Sequence, residues 1–381
     1  MTASNTDWLS SHHIGFKHVI FMASVFFLIS FWIHYPGLVP SYYSDVGSIG
    51  FRDGVSEGKV PYIDYGLEYP SLVGITVFLG SQWHNIYGYY FTVCAILYGF
   101  MFVGVYAMYR ILIRLNQPVH RITYYVIFTP TFIYFSIFSF DWMGMGLLLL
   151  SIHYSQSNKA HLSGLFMGLS VAARIIPIVC LPFIIREFKT WRERGIFLLV
   201  AGLGWLAPNA YFMLVDFDGF LYPYQFQSQW GVEDSWMIIF GQFPSFRQLL
   251  SIGLLLQLIA LIFFWRKKFN AVEGSLLAMI SFMLTTYKFP PQYMTLLNPL
   301  FGLNRTNYIL FMTANMLNVM MILLIFTPIF NAGNFLLITS PIQWLAIARQ
   351  AVLIPLFISL FRSRKSADNP PVEGNETSNK Q

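Results

Sequence analysis

Apolar residues in this chain come in long blocks, and the polar residues gather in short breaks between them. Crossing the hydrocarbon core of a bilayer takes about 20 apolar residues in a helix. The blocks predict spans at approximately 16–38, 86–113, 121–139, 143–157, 194–215, 246–266, 271–287, 293–303, 307–328 and 342–361. Between 161 and 187 two short apolar pieces are broken near Arg174 and Pro177, which predicts a hairpin or a pair of short helices. Several blocks are under-length for a full crossing, and such pieces are tolerated at membrane depth where they line a cavity. The expected fold class is an all-α polytopic membrane protein with about 10–12 transmembrane or re-entrant helices over residues 1–365. Residues 366–381 form a polar tail with Pro370-Pro371 and are expected to be disordered.

Composition supports this. Hydrophobic residues make up 56% of the 381 positions and charged residues 10%, whereas soluble domains carry about 25% charged residues. Too little charge is present to cover a water-facing surface. The net charge of +6 would by itself suit nucleic acid, but the basic residues are placed as topology signals. Lys and Arg mark cytoplasmic loops, and four clusters recur: Arg110/Arg114/Arg121, Arg186/Lys189/Arg192/Arg194, Arg266/Lys267/Lys268 and Arg362/Arg364/Lys365. All four fall on one side if the N-terminus starts inside. The other side then receives Asp45, Asp53, Glu57, Asp64, Glu68, Asp141, Asp216, Asp218, Glu233 and Asp234. Both termini are expected in the cytoplasm, with the protein multi-pass in the cell membrane. Cys94 and Cys180 sit inside apolar runs, and no CxxC or HExxH spacing exists, so a disulfide framework or structural zinc site is not supported.

The densest acidic stretch is the first outer loop, about 39–70, which directly follows the first span. Its glycines and Pro61 forbid one long helix, and its tyrosines suit the headgroup region. Solvated carboxylates among interfacial tyrosines are the plain reading of this loop. Against it stands the return of acidic, aromatic and amide residues at each later outer turn: Ser139-Phe140-Asp141-Trp142, the stretch from Gln225 to Trp236, and Thr286 to Tyr293. Such groups suit hydroxyl-rich ligands, because they offer directional hydrogen bonds beside flat apolar faces. Three cations also stand out: Lys288 at an outer helix end, Arg174 in the broken hairpin, and Arg349 inside an apolar run. A cation at mid-helix costs on the order of 2.5–3.5 kcal/mol. The plain alternatives are snorkelling or an internal ion pair, and the functional one is a clamp on a lipid phosphate.

The first loop reads Tyr-Ser-Asp45, then Gly58-x-x-Pro61-Tyr62-x-Asp64-x-x-x-Glu68-Tyr69-Pro70. This resembles the first extracytoplasmic loop of GT-C superfamily membrane glycosyltransferases, in particular the polyprenol-phosphate-mannose-dependent α-mannosyltransferases (glycosyltransferase family 87). Phe140-Asp141-Trp142, Ala173-Arg174-Ile175-Ile176-Pro177, Gly231 to Trp236, and Lys288-Phe289-Pro290-Pro291-Gln292-Tyr293 resemble further motifs of the family in the same order. The chain departs from the pattern at Ser71, Arg174 and Asp234.

The resemblance implies a GT-C-like bundle and inverting transfer of a sugar, mannose in the family named, from a polyprenyl-phosphate donor. The acceptor is a lipid- or glycan-linked hydroxyl on the outer face, with the bilayer as partner and no nucleic acid involved. It places the catalytic base at Asp45, with Asp64 and Glu68 as runners-up that would share one helical face if their segment were helical. Asp141, Glu233 and Trp236 are assigned to the sugar or acceptor, Gln292 to the same role and to support of Lys288, and Lys288, Arg174 and Arg349 to the carrier phosphate. The Arg349 assignment rests on burial logic alone. No obligatory metal is expected, although the outer acids have the chemistry to hold Mg²⁺ or Mn²⁺, and Asp216-Phe217-Asp218 has the DxD form. Two other readings remain open: a non-catalytic GT-C-like subunit that binds lipid-linked glycan, and a lipid or sugar transporter. The enzymatic reading demands that Asp45, Asp141, Glu233 and Lys288 converge on one cavity open laterally to lipid.

Overall fold

Proline and capping residues decide where the apolar blocks become separate helices. In a computed structural model, which describes residues 15–38, 42–52, 54–229, 231–240, 246–326 and 337–368, the chain is all-α. Of the positions discussed above, 39–41, Asp53, Trp230, 327–328 and 369–381 lie outside the described residues, as do the side chains of Arg362, Arg364 and Lys365. The helices are α1 (Phe16–Ile33), α2 (Asp45–Gly50), α3 (Ser71–Ser81), α4 (Ile86–Arg114), α5 (Pro130–Phe135), α6 (Asp141–Ser155), α7 (Ala160–Ala173) and α8 (Leu181–Arg186). They continue as α9 (Trp191–Val215), α10 (Phe217–Gln229), α11 (Phe246–Arg266), α12 (Ala271–Thr285), α13 (Met294–Leu303), α14 (Tyr308–Ile325) and α15 (Pro341–Asp368). Six of these are long and apolar enough to cross a bilayer, so the chain is a multi-pass membrane protein. The remaining apolar helices are shorter, and two of the reasons are visible. The expected span at 121–139 is split by a π-helical turn at Thr123–Ile127, and Pro130 then restarts the helix under a Thr129 cap. The run 71–81, to which the sequence reading assigned no span, forms α3 behind Pro70 and packs against α4 as a hairpin. The last helix reaches Asp368, three residues into the stretch expected to be disordered.

Helix starts follow local chemistry. Asn85, Asn270 and Asn307 each cap a first turn through the side-chain carbonyl, and Thr190 with Glu193 closes a reciprocal capping box. In lipid there is little hydrophobic force between helices, so close approach depends on small residues. At the crossing of α7 and α9, a Cβ added to Gly164 or Gly168 would lie 2.4 Å from the Phe197 carbonyl or 2.1 Å from that of Ala201.

The bundle is electrically polar. At one end Asp45 N–H donates to the Phe138 carbonyl (2.8 Å), Gln227 reaches the Glu68 carbonyl (3.5 Å), and Glu233 pairs backbone to backbone with Lys288. At the other, Arg114, Arg186 and Arg194 bond the His153, Trp265 and Phe188 carbonyls. The 25-residue α9 begins beside Arg192 and Arg194 and closes at Asp216, a rise of about 37 Å. The acidic and basic ends are therefore separated by roughly the thickness of a bilayer core.

Candidate active site

The acidic end owes its shape to segments between the regular spans. Ser44 caps α2 by accepting from Gly47 N–H (3.0 Å), which fixes Asp45 at the first turn. The half-buried Asp45 carboxylate accepts hydrogen bonds from the Tyr43 hydroxyl (3.0 Å) and from the Tyr69 hydroxyl. Burial pushes its carboxyl up to about 6, against the pull of the two tyrosine hydroxyls and the Arg174 charge.

Tyr69 carries the connection onward. The Arg174 guanidinium lies 4.6 Å from the Tyr69 ring centroid and 5.7 Å from that of Tyr293, in cation–π geometry. Its Nε meets Asp141 Oδ1 at 2.6 Å, and Ser139 Oγ donates to Asp141 Oδ2 at 2.6 Å. Asp141 is fully buried at the first position of α6. Gly144 makes the pairing possible, since a Cβ there would sit 2.8 Å from that of Arg174. Arg174 Nη2 is buried and has no protein acceptor, an exception to the rule that buried donors are satisfied.

The third part is the Glu233–Lys288 bridge. Glu233 N–H donates to the Tyr287 carbonyl (3.1 Å) and Phe289 N–H to that of Glu233 (3.0 Å), which brings Lys288 Nζ to 3.4 Å from Glu233 and from Gln227 Oε1. Glu68, Arg174, Gln227, Lys288 and Tyr293 line one cavity of about 420 Å³, whose other wall is apolar, built from Ile175, Ile178, Val179, Leu250, Leu254 and Phe282. Ile175, Ile178 and Leu254 are about half exposed.

The structure thus brings Glu68, Arg174 and Lys288 to the cavity wall, with Asp141 and Glu233 one contact behind it. Asp45 lies two contacts behind, through Tyr69 to Arg174, so of the four side chains required to converge on one cavity only Lys288 lines it. The other candidates fall elsewhere. The Asp64 segment is a tight turn rather than a helix: Tyr62 has φ +70°, and exposed Asp64 accepts from its own Val60 N–H (2.7 Å). The shared helical face proposed for Asp64 and Glu68 does not form, and Glu68 is held by Arg52. Trp236 anchors the loop, its indole donating to the Leu284 carbonyl (2.7 Å) and its N–H to Gln350 (2.6 Å), outside the cavity lining. Gln292 lies half-buried on the Pro291–Tyr293 turn, also outside the lining; the amide 3.4 Å from Lys288 is Gln227. Asp216 caps α10 by accepting from Gly219 N–H (2.9 Å). No three His, Cys, Asp or Glu side chains are grouped to hold a metal among the described residues.

Arg349 is fully buried; its two terminal nitrogens are used internally, while its Nε is buried without a hydrogen-bond partner. It donates to Asn318 Oδ1 (2.6 Å), to the Asp234 carbonyl (3.1 Å) and to the Phe289 carbonyl, and stacks 3.7 Å from the Phe289 ring centroid. It therefore clamps the two backbone strands whose neighbours are Glu233 and Lys288. Each buried acceptor stripped of its donor costs about 1–3 kcal/mol. Arg349→Met is expected to lower thermal stability in detergent by several degrees, and an unchanged melting curve would refute the clamp.

Sequence reasoning missed Tyr69, Tyr293 and Gln227 as parts of the site. Tyr69 and Tyr293 lie within the motifs, but nothing in a one-dimensional pattern says which tyrosine faces a guanidinium. Comparison with family models, with curated proteins and with solved structures returned no match.

Proposed function

We propose that the protein is an integral-membrane inverting glycosyltransferase that moves a sugar, mannose in the first instance, from a polyprenyl-phosphate carrier to a lipid- or glycan-linked hydroxyl. In this reading the acidic end faces outward and both termini are cytoplasmic, in keeping with the Lys/Arg bias. One observation carries the proposal: a cavity with a half-exposed apolar wall ends on two cations, one of which holds a buried donor with no partner. A phosphate on an apolar tail fits both halves of such a cavity.

The chemistry needs few groups. Phosphate is a good leaving group, so no acid has to protonate it. Arg174 and Lys288 hold its oxygens and offset the charge that grows as the sugar–oxygen bond breaks. Asp45 accepts the proton of the acceptor hydroxyl as the new glycosidic bond forms on the opposite face of the sugar. Tyr69 and Tyr43 aim the carboxylate, and Asp141 aims Arg174. The test is transfer itself: membranes with and without the protein, incubated with labelled polyprenyl-phosphate mannose and with other polyprenyl-phosphate sugars. Label should pass to a lipid or glycan product only where the protein is present. Equal product in both membranes removes the proposal.

A further inference from the structure

The basic end carries a second polar recess that plays no part in this reaction. An open cleft of about 580 Å³ is lined by Gln117, His120, Arg121, Tyr125, Arg305 and Thr306. Arg121 is more than nine-tenths buried. Its Nη1 donates to Gln117 Oε1 (3.1 Å) and its Nη2 to the Asn304 carbonyl, yet its Nε and the Thr306 hydroxyl are buried without a hydrogen-bond partner. Arg305, exposed at the rim, lines the same cleft. Neither guanidinium has a carboxylate within ion-pair distance among the described residues. Glu273 lines the adjoining cavity of about 320 Å³, together with Arg305 and Gln117.

Two like charges directed at one recess repel each other, and a buried donor without an acceptor adds to the cost. An anion with several acceptor oxygens relieves both. We infer that this cleft is a binding site for a phosphoryl group, supplied by the headgroup of an anionic phospholipid. The choice of a lipid source rests on the surroundings. Tyr124 and Tyr308 are 48% and 40% exposed beside the cleft, with ring centroids 6.2 Å apart. Exposed tyrosines of this kind mark the level of the lipid headgroups. Basic pockets between helices on the cytoplasmic side are where anionic headgroups bind.

The experiment uses the full-length protein in detergent, followed by thermal unfolding and native mass spectrometry. Phosphatidylglycerol, phosphatidylcholine and inorganic phosphate are the probes. Phosphatidylglycerol is expected to raise the melting temperature by several degrees and to remain bound, while phosphatidylcholine does neither. Arg305→Gln should lose at least half of that shift, and Arg121→Lys, which keeps the charge but not the fork, should weaken it. Arg192→Gln, at an exposed position on α9, should keep it in full. A shift reproduced by inorganic phosphate alone assigns the same site to a soluble phosphoryl ligand. Equal shifts in wild type, Arg305→Gln and Arg121→Lys, or no shift in wild type, overturn the site.

Discussion

Asp45→Asn is expected to cut sugar transfer by about 10²–10⁴-fold, the usual contribution of a positioned base, and to leave the protein folded. The amide keeps one acceptor oxygen, for either the Tyr43 or the Tyr69 hydroxyl, while the other hydroxyl must turn to accept from the new NH2, and it cannot take a proton. Stability should hold or rise. Burial lifts the Asp45 carboxyl to about 6, above the ordinary carboxylate value of about 3.9. The folded chain thus binds that proton more tightly than the unfolded one, and stability drawn from Asp45 is present below about pH 4 and lost as pH rises through 6. Asn removes a charge whose burial opposes folding at neutral pH. The same sign sets the rate profile: transfer by wild type should fall about tenfold per pH unit below 6 and level off above it. Loss of transfer with an intact melting curve separates an enzyme from a glycan-binding subunit. Undiminished transfer by Asp45→Asn would remove this carboxylate from the mechanism.

Arg174→Met should cost both fold and function. Breaking a buried ion pair by deleting one partner costs about 3–5 kcal/mol, because the surviving charge is left in a poor medium. Asp141 has almost no exposed surface, and its remaining side-chain partner would be the Ser139 hydroxyl. Arg174→Met/Asp141→Asn removes both charges and is expected to recover most of the stability without recovering transfer, since the phosphate loses its cation. Arg174→Lys should keep a fraction of the activity, as the point charge survives but the forked donors do not. Melting curves and transfer rates on the four proteins check this directly. If the double variant regains transfer along with stability, Arg174 has only a structural role.

Asp45, Asp141, Arg174 and Lys288 could be picked out because charge beside an apolar block is expensive and so rarely incidental. Asp64 and Glu68 share a motif and a four-residue spacing, yet the structure separates them. Tyr62 adopts a left-handed conformation, which turns Asp64 back on Val60 and frees Glu68 to meet Arg52. Arg349, assigned from its charge to the carrier phosphate, instead donates to Asn318, Asp234 and Phe289, on three other segments, and does not line the cavity.

By itself the sequence determined that this is a multi-pass helical membrane protein with its acids and bases held apart, because hydropathy and charge act locally on each segment. It also located the stretches from which a site could be built. Which side chains meet was decided only by the tertiary structure. A tyrosine standing between Asp45 and Arg174, or a glycine that lets an arginine lie against α6, depends on contacts between distant segments, and the distances that govern those contacts leave no period or spacing in the chain.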